Sequence, residues 1–214
     1  MSLKVGVARF LGTNCDEDVT KWVTSKSHKA DYLWFENQFN VSDYDMVIVP
    51  GGFSHGDYLR CGALAAQTPV MKSIKEFASK GKPILGICNG FQILCEAGLL
   101  PGALLRNQGL KFKDEWALLK VNQTKTAFSK DVEKNQIIKL PIAHGEGNYY
   151  AEATTLKKLQ ENEQIWLTYE NNPNGSLLNI AGITNEQKNI CGLMPHPERA
   201  LFEWMGSQDG MYFL

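Results

Sequence analysis

The segment Pro83-Ile84-Leu85-Gly86-Ile87-Cys88-Asn89-Gly90-Phe91-Gln92 runs a buried-strand pattern straight into Gly-x-Cys-x-Gly and then into a helix. That is the cysteine form of a nucleophile elbow. Glycines two before and two after the cysteine relieve crowding at a sharp strand-to-helix turn, which holds Cys88 in an unusual backbone conformation and exposes its sulfur. The positive end of the following helix favours a thiolate, and the Asn89 amide is placed to hydrogen-bond an oxyanion forming on a carbonyl under attack. The plainer alternative is a small apolar cysteine in the core.

A thiol nucleophile needs a base, and the chain has four histidines: His28, His55, His144 and His196. His196 is the best placed, in Met194-Pro195-His196-Pro197-Glu198-Arg199 directly after an apolar strand. Both Met194 and His196 precede prolines and are biased toward extended backbone. In an extended stretch residues two apart point the same way, so Glu198 can fix the tautomer and orientation of the His196 ring. The candidate triad is Cys88, His196 and Glu198; a surface turn carrying a His and a Glu is the alternative. His55 and His144 are weaker candidates, each in a glycine-bearing loop. Val47-Ile48-Val49-Pro50-Gly51-Gly52 ends a strand at the carboxyl edge of a sheet, where parallel α/β folds place ligands, so the Gly52 amide can complete an oxyanion pair with Asn89. A tight turn is the competing explanation for those glycines.

The elements that must hold these residues follow from periodicity. Strands are expected at 4–10, 30–35, 45–49 and 83–87, with helices at 16–27, 62–80 and from Asn89 or Gly90 to near Gly98. Alternating short β-branched runs and longer amphipathic ones suit a parallel sheet covered on both faces. The second half carries strand-like runs at 115–122, 136–142, 164–169, 178–184 and 190–194, with few helical patterns and a marked turn at Asn171 to Ser176. These read as an extension of the same sheet plus an antiparallel flap, residues 1–214 forming a single domain.

Composition narrows the partners. The 214 residues carry 22 Lys+Arg against 23 Asp+Glu, with four dispersed arginines, so no basic footprint for nucleic acid or an anionic membrane exists. No apolar run reaches the roughly 20 residues of a membrane span, and the N-terminus resembles no secretory signal. Five cysteines without C-x-x-C spacing indicate neither a disulfide framework nor a metal site and suit the cytoplasm. Phosphate-loop, dinucleotide and His-Glu-x-x-His motifs are absent, so no cofactor or metal is expected in this chain. The five tryptophans are scattered and read as packing residues.

Together these residues resemble the class I (triad) glutamine amidotransferases, which pair a Gly-x-Cys-x-Gly-x-Gln elbow with a downstream His-Pro-Glu. Gly51-Gly52-Phe53-Ser54, Pro141-Ile142-Ala143-His144-Gly145-Glu146-Gly147 and Asn172-Pro173-Asn174-Gly175-Ser176 further resemble the glutaminase subunits of phosphoribosylformylglycinamidine synthases. Phe10-Leu11-Gly12-Thr13-Asn14-Cys15-Asp16 departs from the usual Phe-Pro-Gly-Ser-Asn-Cys-Asp, and relatives commonly continue through a fuller terminal helix beyond the position of Leu214. The resemblance implies a flavodoxin-like α/β fold with a mainly parallel sheet and a small antiparallel extension. It implies glutamine hydrolysis by Cys88, His196 and Glu198, with Gly52, Asn89, Gln92 and Gly145 binding substrate. It also implies a partner synthetase that uses ATP and Mg, together with a small third subunit. Rival readings are an amidotransferase subunit of another pathway, a cysteine peptidase or stress-response protein on a similar sheet, and a non-catalytic scaffold.

Overall fold

Short β-branched runs form the first half of the central sheet in the computed structural model, which describes residues 2–214: β1 (Lys4–Arg9), β2 (Lys29–Trp34), β3 (Met46–Val49) and β4 (Ile84–Ile87). The helices between and after them are α1 (Asp16–Ser25), α2 (Pro69–Ser79) and α3 (Asn89–Glu96). Every residue of β3 and β4 is buried, as interior parallel strands covered on both faces require. The second half adds β5 (Ala103–Leu105), β6 (Lys113–Val121), β7 (Ile137–His144), β8 (Asn148–Tyr150), α4 (Ala153–Glu161), β9 (Ile165–Tyr169), β10 (Ile180–Thr184) and β11 (Ile190–Leu193).

The nine-stranded sheet has the order β2-β1-β3-β4-β11-β10-β9-β6-β7, while β5 and β8 form a separate antiparallel ribbon. The five strands from β2 to β11 pair in parallel and the remaining four continue antiparallel. This is the expected α/β class, with the last strand of the chain inserted at the middle of the sheet. Its register matters for chemistry, because Leu193 pairs with Ile87. The chain that leaves β4 into Cys88 and the chain that leaves β11 toward His196 therefore emerge side by side.

Several expectations shift. The helix expected over 62–80 begins only at Pro69, after a 3-10 turn at Ala65–Gln67. Thr68 is extended at ψ 158°, since a residue preceding proline is excluded from the helical region. The strand expected from Leu178 starts at Ile180, because Leu178 and Asn179 both take positive φ in a preceding turn. The small antiparallel extension is present as the β5–β8 ribbon, but its two strands, like helix α4, fall outside the runs expected from the sequence. Of the tryptophans, Trp22 and Trp166 are core residues, but Trp34 and Trp116 are partly exposed and Trp204 is 79% exposed. No helix among the described residues is long and apolar enough to cross a membrane.

Candidate active site

Cys88 sits between β4 and α3 at φ 51°, ψ −106°. A side chain in that region costs about 1–3 kcal/mol and persists only where the surroundings overdetermine it. They do so here: the Cys88 N–H donates to the Leu193 carbonyl at 2.8 Å, tying the elbow to β11. A Cβ on Gly90 would run into the Val49 carbonyl, and one on Gly86 would stand 2.8 Å from the Gly90 backbone, so both flanking glycines are needed for close approach. The Cys88 sulfur, 3.7 Å from the Ala143 carbonyl oxygen, lines a cleft of about 170 Å³ with Cys15, Gly52, Phe53, Phe112 and His196. A larger concavity of about 440 Å³ beside Pro101 and Lys158 contains no cysteine or histidine, so size does not mark the chemistry.

His196 is buried, and its N–H donates to the Pro141 carbonyl at 2.8 Å. Its Nδ1 is 2.6 Å from Glu198 Oε1, with both side chains sealed from solvent. The route to that pairing differs from the extended stretch expected. Pro197 opens a 3-10 turn, Pro197–Arg199, which carries the Glu198 carboxylate back to the ring; the fixed φ of proline suits the first position of a helical turn. Burial opposes a charge on His196, but the Glu198 carboxylate, then Cys88 and Cys15, outweigh it and raise the imidazole well above its ordinary value. A protonated ring held beside a thiol is equipped to give a proton to a leaving amine.

Asn89, as the first residue of α3, has no helical acceptor for its N–H. Gly52 borders the same cleft at φ 145°, pressed so closely on the 12–14 loop that a Cβ would lie 2.8 Å from three of its backbone atoms. The side chains of Asn89 and Gln92 are engaged within the protein. Asn89 Oδ1 accepts from the Ser54 N–H at 3.1 Å, and Asn89 Nδ2 donates to Gln92 Oε1 at 2.8 Å. Gln92 Nε2 in turn donates to the Glu146 carbonyl at 2.6 Å, so this glutamine braces the loop that follows β7. The Gly145 carbonyl in that loop accepts from the Asn107 N–H at 2.9 Å. Asn107 also accepts from the Gly147 N–H at 2.9 Å, while Asn174 and Ser176 donate to the Gly147 carbonyl at 2.8 and 3.2 Å. Through the buried Asn174 and Ser176, the Asn-Pro-Asn-Gly-Ser turn thus clamps the site loop.

The two weaker histidines do other work. His55 packs edge-on against Phe10 and Phe35. His144 is buried with Nδ1 3.1 Å from Asn107 Oδ1, and burial, reinforced by the charge of His196, pushes it down to about 4. Two residues at the site were not anticipated. Cys15 precedes α1, and Arg199 Nη2 donates to its sulfur at 3.1 Å while Arg199 Nε reaches Asp18 at 3.3 Å. No local spacing signals them; distant parts of the chain bring them together.

The chain that carries this site is similar to known proteins over nearly its whole length. The model of the CobB/CobQ-like glutamine amidotransferase domain matches residues 2–210. A chain in the structure of PurLQS from Thermotoga maritima is 41% identical, with 99% of this chain and 95% of that one covered at a TM-score of 0.91. A glutamine amidotransferase from Thermotoga maritima, 20% identical over 94% of this chain and 78% of its own, superposes at 0.60 and speaks for the fold alone. The same holds for a putative GMP synthase component from Thermoplasma acidophilum, 14% identical over 99% and 90%, which superposes at 0.64. The matched span takes in β4, the elbow, β11 and the His-Pro-Glu turn, and on that extent the chain belongs to the CobB/CobQ-like glutamine amidotransferase family.

Proposed function

We propose that this chain is the glutaminase subunit of a phosphoribosylformylglycinamidine synthase. It hydrolyses glutamine to glutamate and passes the ammonia to a partner synthetase, which uses ATP and Mg to convert formylglycinamide ribonucleotide to formylglycinamidine ribonucleotide in purine biosynthesis. A small third subunit joins the complex, and the assembly works in the cytoplasm, where five unpaired cysteines are at home. The observation that carries the chemistry is the 2.6 Å His196–Glu198 pair set beside an elbow cysteine. The likeness to a chain of PurLQS at 41% identity supports the pathway.

In this reading the Cys88 sulfur attacks the side-chain amide carbon of glutamine, and the Asn89 and Gly52 amides stabilise the oxyanion. His196, oriented by Glu198, protonates the departing ammonia. It then takes a proton from the water that cleaves the thioester and releases glutamate. Gln92 and Gly145 shape the loop against which the substrate glutamine lies.

The test compares two nitrogen donors in the reconstituted complex. Cys88→Ala should abolish formylglycinamidine ribonucleotide formation from glutamine and leave formation from ammonium intact. Equal loss with both donors would overturn the role of Cys88, and retention of glutamine use would overturn the glutaminase role given to this chain.

A further inference from the structure

Cys15 has no part in that mechanism, yet its thiol is only 2% exposed and stands at the catalytic pair. Its sulfur, a ring nitrogen of His196 and a carboxylate oxygen of Glu198 all lie within 4.8 Å of one another. Gly51 permits this approach: a Cβ there would stand 2.8 Å from His196 Cε1 and 3.1 Å from Cys15 Sγ. His196 Nε2 and Glu198 Oε2 are buried without a hydrogen-bond partner. The Glu198 lone pair, already stripped of water and held in place, loses little more when it coordinates a cation. Thiolate, imidazole and carboxylate together suit a borderline-soft ion, whereas Mg and Ca take all-oxygen shells. Tetrahedral Zn, with bonds of about 2.0–2.3 Å, sets its ligand atoms roughly 3.3–3.8 Å apart, within reach of modest side-chain rotation.

We infer that Cys15, His196 and Glu198 form a three-ligand site for a zinc ion, and that its occupation silences Cys88. On binding, the Cys15 thiol and the protonated His196 ring each release a proton to solvent, so that sulfur coordinates as thiolate and a ring nitrogen as a neutral ligand, and the fourth position is left to water. His196 gives a lone pair to the metal and loses its tie to Glu198, so the pair no longer moves protons for Cys88. Arg199 leaves the Cys15 sulfur for Asp18, which its Nε already meets at 3.3 Å and which is partly exposed. The cleft lined by Cys15 and His196 admits an ion of this size. Binding follows from the geometry alone, whereas the loss of activity rests on the glutaminase reading above.

The experiment titrates Zn into the reduced, full-length chain against a chromophoric chelator, and in parallel into the reconstituted complex supplied with glutamine or ammonium. Cys15→Ser and Glu198→Gln should each weaken binding at least about tenfold, as even loss of an outer-shell partner does at established sites. Cys88→Ser and Cys61→Ser should keep the wild-type affinity. In the complex, zinc should suppress synthesis from glutamine and spare synthesis from ammonium, and Cys15→Ser should require at least about tenfold more zinc for the same loss. Should affinity fall with Cys88→Ser or Cys61→Ser and not with Cys15→Ser, the metal sits on another thiol and the site is refuted. If a Cys15 variant loses its wild-type circular dichroism, Glu198→Gln alone decides the matter. Failure of glutamine use in the untreated complex would instead count against the function proposed above.

Discussion

His144 and His196 lie in the same interior and carry opposite tendencies, and their neighbours account for the difference. His144 faces an amide: Asn107 Oδ1 already accepts from the Gly147 N–H, so the His144 Nδ1 3.1 Å away donates to it and the ring rests neutral. Burial then pushes its titration down to about 4, and the charge on His196 adds to the effect. His196 is opposed by its desolvation but faces a carboxylate at 2.6 Å, which with Cys88 and Cys15 outweighs that burial and raises it. The sign of the consequence is fixed. A carboxylate stabilises the imidazolium, so removing that charge lowers the pH at which His196 surrenders its proton. If the imidazolium delivers the proton to departing ammonia, the high-pH limb of kcat/KM for glutamine reports that titration. Glu198→Gln should move this limb to lower pH by about one to three units, the usual effect of a close opposite charge. An unmoved limb would mean that the carboxylate does not set the state of the base.

At the scale of elements, the turn from β4 to α3 depends on how closely α3 approaches β3. Gly90 has no room for a side chain, because the obstacle is the Val49 backbone carbonyl and not a rotatable group. Gly90→Ala should lever the helix away from the strand at a cost of about 1–3 kcal/mol, seen as a lower denaturation midpoint. It should also displace Cys88 enough to cost about a hundredfold in glutamine-dependent rate, with ammonium-dependent synthesis retained. A variant with wild-type midpoint and rate would show that the elbow tolerates the wider spacing. This element was legible in the sequence because glycine spacing, strand pattern and helix start coincide within ten residues. Helix α4 was not: only Leu159 of its nine residues is buried, so its apolar stripe is too thin to register. The β5 and β8 strands, three residues each, are too short for alternation to emerge. Of the site, Cys88, His196 and Glu198 were readable from local motifs. The contact of Cys15 with Arg199 joins positions 184 residues apart and leaves no local trace.

For the whole molecule, the decisive fact is that β11 is added late in the chain and inserted between β4 and β10. The parallel half cannot bury the free edge of β4, nor the antiparallel half that of β10, until β11 is in place. The same strand delivers His196 to Cys88, so completion of the sheet and of the site is one event. The fold should therefore unfold as one cooperative unit despite the change of strand direction at its centre. Each half holds a reporter: Trp22 lies in α1, packed against β1 and β2, and Trp166 lies in β9, and both are fully buried. Two variants, each keeping one of these residues with the other four tryptophans replaced by phenylalanine, should be unfolded by urea while fluorescence and far-UV circular dichroism are followed. Within each variant the two signals should give one shared midpoint, because independent probes coincide when no intermediate is populated. A Trp22 signal that persists after ellipticity from the antiparallel strands has gone would show that the parallel half stands without β11. The site would then assemble on a preformed scaffold, and the coupling between sheet closure and chemistry argued from the topology would fail.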